Sequence, residues 1–355
     1  MQFDLYRLKI PLVRPYRLSF GPVNHLDTVL VRCSFGGNEG WGEATLLTGY
    51  TDETIEGSWE KSAQLSALLA GRTPDEGRSE LLRLQGEHPF TATAFCTAIE
   101  MAQGSPLLNP QQDLRVPILG LLNAGEPSAI EAEIEQLLAE GYRTIKVKVG
   151  FDAIEDALRV SRIQQVVSGR VRIRLDANQG YSASQARDFL SRLKPDDIEL
   201  FEQPCAAGDW AAHKAATAAS PVPVMLDESI YNEADIERVA QERAAQYVKV
   251  KLMKFVSVDR LAQAIEQIRA LGMTPVLGNG VASDIGCWME ACVAAKHIDN
   301  AGEMNGFLKP AHGLLRNKLR LEDGCIHIPA GWVPEPDQAL INSFKVDEVS
   351  STHSS

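Results

Sequence analysis

The chain has 355 residues, 45% of them hydrophobic and 23% charged, with 27 Gly and 18 Pro, so it is globular and long enough to bury a sizeable core. Lys and Arg number 35 against 47 Asp and Glu, and the net charge of −12 argues against a nucleic-acid binder or a protein held on an anionic membrane. No stretch approaches the ~20 apolar residues that span a bilayer. The N-terminal Met1–Ile10 reads as a strand rather than a signal peptide. The six cysteines are scattered without a CxxC pair, which predicts neither a zinc site nor a disulfide framework and suits a reduced, cytoplasmic location.

Residues 1–112 read as a small α+β unit. Leu5–Leu12 and Thr28–Phe35 alternate as strands, and Gly36-Gly37-Asn38-Glu39-Gly40 reads as a hairpin turn. Thr54–Ala70 and Ser79–Gln85 are helical by period, and Gly104–Asp113, with two prolines, is the expected linker. From residue 113 to 320 strands and helices alternate. Short β-branched runs at Val116–Leu122, Thr144–Val149, Val171–Leu175, Ile198–Phe201, Pro223–Leu226, Tyr247–Leu252 and Thr274–Leu277 are mostly separated by amphipathic helices. In one helix Ser128 and Glu131 form a predicted capping box and Gly141 is the stop; in another, Ser257 to Leu271, Gly272 is the stop. Residues 321–355 are a C-terminal segment expected to return to the N-terminal unit and to end in a polar tail.

Polar residues recur at the predicted strand ends, at Lys148, Asp176, Glu202, Asp227, Lys251, Gly278 and Glu303. Their near-constant spacing, with a first strand at Val116–Leu122, predicts an α/β fold of eight units, a (β/α)8 TIM-like barrel. An open dinucleotide-binding sheet would show G-x-G-x-x-G after its first strand, and none is present.

Charged residues at the C-terminal ends of barrel strands converge on one mouth. Asp176, Glu202 and Asp227 sit on adjacent strands after apolar runs, and three such carboxylates can share a hard cation, one Mg²⁺ or Mn²⁺ per chain. The bland alternative is that each caps a helix or makes an Asx turn. Lys146 and Lys148 lie two apart, as do Lys249 and Lys251, so each pair faces the crowded barrel interior, where an unpaired lysine is costly. Two lysines on opposite sides of a metal-held substrate suit proton transfer at the carbon next to a carboxylate.

Lys-Val-Lys, Leu-Asp-Ala-Asn-Gln-Gly-Tyr, Phe-Glu-Gln-Pro, Leu-Asp-Glu-Ser and Val-Lys-Leu-Met-Lys, in this order, resemble the enolase superfamily, muconate-lactonizing-enzyme subgroup. Gly40-Trp41-Gly42-Glu43-Ala44 is similar to that family's signature in an N-terminal capping domain. The resemblance covers almost the whole chain. It implies metal ligands Asp176, Glu202 and Asp227, acid/base lysines Lys148 and Lys251, and Lys146 as cationic neighbour of Lys148. Asn178, Glu303 and Tyr50 are the expected substrate contacts; Glu303 can meet a substrate ammonium or serve as a lysine partner. Tyr16, Phe20 and Tyr50 fall in segments that resemble the family's substrate-covering loops, or are packing aromatics.

Several departures bear on the reaction. Phe255-Val256-Ser257 replaces a frequent glycine pair, Ala282-Ser283-Asp284-Ile285-Gly286 lacks a frequent glutamate, and Glu303-Met304-Asn305 stands where dipeptide epimerases carry Asp-x-Asp. No histidine falls at a predicted strand end, so a mandelate-racemase-type base is missing. The resulting expectation is dehydration of a 3-hydroxyproline-type substrate with competing 2-epimerisation. The alternatives are racemisation or epimerisation of an amino acid or dipeptide, or a non-catalytic binding protein on the barrel. The expected partner is a small carboxylate, with no nucleic acid or membrane, and the expected assembly is a homo-oligomer.

Overall fold

The computed structural model describes residues 1–18, 21–47, 49 and 51–350. The chain opens with an antiparallel meander of β1 (Gln2–Leu18), β2 (Gly21–Phe35) and β3 (Asn38–Leu46). Gly36 and Gly37 turn the second hairpin with φ of 59° and 84°, the left-handed pair whose twist matches the flanking strands. β1 runs beyond the predicted Leu12 across a register shift between Pro11 and Tyr16, so Tyr16 belongs to a strand rather than a loop. Phe20 and Tyr50 lie outside the described residues.

Helices α1 (Ile55–Leu69), α2 (Pro74–Leu82) and α3 (Pro89–Ala102) accompany this meander. α2 begins before the predicted Ser79 because Thr73 and Glu76 form a capping box and Pro74 presets the first helical φ. α3 has no polar stripe to announce it, since all its residues except Met101 are buried. It packs tightly on β3: a Cβ on Gly40 or Gly42 would stand 2.1 Å from the carbonyl oxygen of Ala98 or Ala94. That close approach accounts for both glycines of Gly40-Trp41-Gly42.

The barrel follows. Its sheet contains β5 (Gly120–Leu122), β6 (Thr144–Lys148), β7 (Arg172–Asp176), β8 (Ile198–Glu202), β9 (Val224–Leu226), β10 (Tyr247–Val250) and β11 (Thr274–Leu277), all parallel and in sequence order. Between and after them run α4 (Pro127–Ala139), α5 (Ala153–Val167), α6 (Ala183–Arg192), α7 (Trp210–Ala219), α8 (Glu233–Glu242), α9 (Leu252–Phe255), α10 (Val258–Ala270) and α11 (Asp284–His297). Gly302 and Glu303 close the ring: Ile118 and Gly302 form a parallel bridge, Leu119 N donates to Gly302 O (2.9 Å), and Glu303 N donates to Leu277 O (3.0 Å). The eighth strand is thus reduced to a single step, and the fold is an α/β, (β/α)8 TIM-like barrel with a separate N-terminal α+β unit.

The predicted first barrel strand is divided. β4 (Leu114–Pro117) leaves the barrel and pairs with β13 (Cys325–Ile328), which also pairs with β12 (Arg320–Glu322). Pro117, which has no N–H for a continuous ladder, marks the division. The predicted Ser128–Glu131 capping box does not form, because Pro127 starts α4 earlier, with Glu126 as a cap lacking a side-chain hydrogen bond. The stops at Gly141 and Gly272 both have positive φ, and Ser257 caps α10. At the C-terminal end, α12 (Gln338–Phe344) leads into β14 (Lys345–Val349), which is antiparallel to β1. Among the described residues no helix is long and apolar enough to cross a membrane.

Two carboxylates from the N-terminal unit cap barrel helices. Glu43 accepts from Ser283 N (2.5 Å), Ser283 Oγ and Gly286 N (3.2 Å) at the start of α11. Glu100, on α3, accepts from Ser257 Oγ and Val258 N (3.0 Å) at the start of α10. Each meets orphan N–H groups and the positive end of a helix dipole. Burial raises both carboxyls to about 7, against the lowering effect of those hydrogen bonds. A carboxyl that holds its proton to higher pH when folded than when unfolded loses stabilising effect as pH rises through that interval. The stability of the wild type relative to Glu43→Gln, measured by urea unfolding, should therefore fall between about pH 5 and about pH 8. A gap that does not change with pH would show that Glu43 is ionised throughout.

Candidate active site

Strand order sets out the chemistry. Lys148 ends β6, Asp176 ends β7, Glu202 ends β8, and Asp227 and Lys251 directly follow β9 and β10. Lys148 is the register partner of Asp176, and Asp176 of Glu202, so these side chains leave the sheet at one level and at the same end. The three carboxylates lie between the two lysines in sheet order. With the ring closed at Gly302, β6 and β10 stand four strands apart in eight, on opposite walls.

Opposite charges alternate throughout the mouth. Lys146, 5% exposed, places its Nζ 2.8 Å from Asp176 Oδ2, 2.9 Å from Glu202 Oε2 and 2.9 Å from Glu303 Oε1. Lys249, 1% exposed, reaches Glu202 Oε1 at 2.6 Å and Glu303 Oε1 at 2.7 Å. Lys251 Nζ lies 2.8 Å from Asp227 Oδ2. Lys148 donates to Asp176 Oδ2 (2.6 Å) and to Asn178 Oδ1, and its half-exposed side chain faces the open mouth.

The proton affinities follow from this packing. Burial opposes the charge on Asp176, but the ammonium groups of Lys146 and Lys148 outweigh it and hold the carboxyl below its usual range. Asp227 behaves alike, with Lys251 and Lys254 prevailing over burial. Glu303 is also held down, by Lys146 and Lys249. Glu202 goes the other way: burial, then the neighbouring Asp176, raise it to about 7. Burial alone would discharge Lys146, yet Asp176, Glu202 and Glu303 keep it charged far above the ordinary lysine range.

The oxygen-only donor set on three adjacent strand ends suits a hard divalent cation. Glu202 Oε2 is buried with no directed hydrogen bond, its one charged neighbour being Lys146 Nζ at 2.9 Å, a place that a divalent cation could share or take. Among the described residues no three carboxylates or imidazoles already converge as a coordination shell, because lysine ammoniums occupy the spaces between them. Asn178 joins the site, donating through Nδ2 to Glu228 Oε1 (2.9 Å). Both oxygens of Glu303 accept from Lys146, and Oε1 also accepts from Lys249 (2.7 Å), so this carboxylate acts as a lysine partner here.

Lys254, Glu228, Gln203 and Lys249 have structural parts in the site that the sequence reading leaves unassigned. Lys254, one helical turn after Lys251, donates to Asp227 O (2.6 Å) and Oδ1 (2.9 Å) and lies over the Tyr231 ring. Its repeat in Lys-Leu-Met-Lys was the available signal. Gln203 Oε1 accepts from Asp227 N (2.9 Å), which ties the ends of β8 and β9. Val256 has φ of +68°, a costly conformation for a β-branched residue. A glycine would adopt that conformation without strain.

A family model described as "Enolase C-terminal domain-like" matches residues 129–332, more than half of the chain. The chain belongs to the enolase superfamily. It is 29% identical over 316 residues to L-Ala-D/L-Glu epimerase of Bacillus subtilis (strain 168), covering 83% of this chain and 84% of that protein. It is 28% identical over 344 residues to muconate cycloisomerase 1-2 of Acinetobacter lwoffii, covering 91% of this chain and 88% of the relative. A crystal structure of dipeptide epimerase from Cytophaga hutchinsonii, complexed with Mg and D-Ala-L-Val, superposes with a TM-score of 0.87 at 24% identity, covering 98% of each chain. Such relatives place this superfamily enzyme in the muconate-lactonizing-enzyme subgroup, as a racemase/epimerase or lyase.

Removing one member of a buried ionic network leaves its partners unpaired and costs about 3–5 kcal/mol. Lys249→Met, which strips Glu202 and Glu303 of a shared cation, should lower stability in EDTA by about 3 kcal/mol in urea unfolding. A loss under about 1 kcal/mol would mean that Lys146 alone compensates both carboxylates.

Proposed function

We propose that this enzyme racemises or epimerises the α-carbon of an amino-acid-type carboxylate, free or within a dipeptide, by 1,1-proton transfer between two lysines. The observation that carries the reading is the placement of Lys148 and Lys251 on opposite walls, with Asp176, Glu202 and Asp227 between them. A divalent cation, Mg²⁺ or Mn²⁺, held by those three carboxylates would offset the charge that builds on the substrate carboxylate as the α-proton leaves.

In this reading Lys148 Nζ removes the α-proton from one face and Lys251 Nζ returns a proton to the other, so the configuration inverts. Each lysine must be neutral when it acts as base and charged when it acts as acid. Asp176 and Asn178 aim Lys148, and Asp227 aims Lys251. Residues 1–112 serve as the cap over the mouth, and 113–320 carry the catalytic barrel. Six free cysteines suit a reducing, cytoplasmic setting.

The relatives favour this outcome over the dehydration of a 3-hydroxyproline-type substrate, since L-Ala-D/L-Glu epimerase and D-Ala-D/L-Ala epimerase are among them. Both outcomes share the first step and differ in whether a β-hydroxyl leaves. Incubation with stereochemically pure L-Ala-L-Glu, free amino acids and cis-3-hydroxy-L-proline in D₂O, followed by NMR, separates them. Epimerisation shows as α-deuteration with a second stereoisomer, and dehydration as loss of the hydroxyl-bearing carbon's signal. Exchange with none of these substrates would overturn the reading.

EDTA should abolish exchange and Mg²⁺ or Mn²⁺ should restore it. Lys148→Ala and Lys251→Ala should each abolish turnover while retaining exchange of opposite stereoisomers. Near-normal turnover in either variant would remove that lysine from the mechanism.

A further inference from the structure

At the opposite end of the barrel, the segments that start β6, β7 and β8 surround a cavity of about 420 Å³. Arg143, Arg170, Arg172, Asp197 and Glu199 contribute to its walls. Most of these charges are already matched. Arg170 pairs with Glu135 (2.7 Å), and Glu199 holds the wholly buried Arg174, whose guanidinium also donates to Ala301 O (2.6 Å). Asp197 Oδ2 accepts from Gly169 N (3.0 Å).

Arg143 and Arg172 are different. Both are exposed and have no side-chain hydrogen bond or ion pair among the described residues, and they line one open pocket from neighbouring strands, with Arg172 N donating to Arg143 O (3.0 Å). Three arginines line these walls against two carboxylates, which leaves the pocket positive within a chain of net charge −12. Guanidinium forks bind carboxylate and phosphate oxygens in pairs.

We propose that this cavity is a second binding site, for a small oxyanion carrying a phosphate or carboxylate group, held between Arg143 and Arg172. It is separate from the catalytic mouth, because Arg172 begins β7 and Asp176 ends it, ~13 Å along the strand.

Titration calorimetry of the full chain with inorganic phosphate, and separately with citrate, at low ionic strength tests it. Saturable binding is expected, with a Kd about tenfold weaker or more in the double variant Arg143→Gln/Arg172→Gln. The single variant Arg172→Lys, which keeps the charge but removes the fork, should weaken binding by an intermediate factor. The control Arg162→Gln/Arg187→Gln removes equal charge from exposed positions on α5 and α6 and should leave Kd within about twofold. Absence of saturable binding overturns the proposal. So does equal weakening in both double variants, or binding that persists in Arg143→Gln/Arg172→Gln, which would assign the anion to diffuse charge or to the lysines of the mouth.

Discussion

Carboxylates brought together in a dry cavity repel one another, and the barrel mouth is organised around relieving that repulsion. Asp176, Glu202, Asp227 and Glu303 stand within a few ångströms of shared lysines, all of them largely withdrawn from water. Whether each carboxylate stays ionised depends on burial and neighbouring carboxylates, which raise it, against the ammonium groups beside it, which lower it. Asp176, Asp227 and Glu303 are held low, whereas Glu202, beside the same Lys146 and Lys249 as Glu303, is raised to about 7 by burial and by the neighbouring Asp176.

That arrangement needs strand ends fixed to within fractions of an ångström, and the backbone around the mouth carries strain to achieve it. Asn178, Gln179, Gln203, Val256 and Val281 all have positive φ, a conformation unfavourable for side-chain-bearing residues, and all follow barrel strands. Hydrogen bonds such as Asp227 N to Gln203 and Val281 N to Asn279 hold these turns in place. On the outside, Glu43 and Glu100 fasten the N-terminal unit to the first turns of α11 and α10. The cap is therefore docked by carboxylate-to-helix contacts placed beside the strand ends that bear Lys251 and Gly278.

Much of this was legible in the chain itself. The recurrence of one polar residue about every 26 positions, after short β-branched runs, defined the barrel because each βα unit spends a near-constant length on one strand and one helix. Period-2 spacing placed Lys146 with Lys148 and Lys249 with Lys251 on interior faces, and local turn chemistry located the hairpin at Gly36-Gly37 and the stops at Gly141 and Gly272. The uniformly buried α3 and the single-step eighth strand escaped such reading, because neither has a periodic pattern of its own.

What the sequence by itself determined was therefore the type and order of the groups: parallel strands ending in Lys, Asp, Glu, Asp and Lys, since those depend on local period and spacing. Only the tertiary structure decided their partners. That Glu303 serves Lys146 and Lys249, that Lys254 braces Asp227, and that Glu43 caps α11 are contacts between residues from 27 to 240 positions apart. Closure of the ring and docking of the cap create those contacts. A charged side chain's partner is set by which strand ends share a wall, and no local pattern along the chain encodes that.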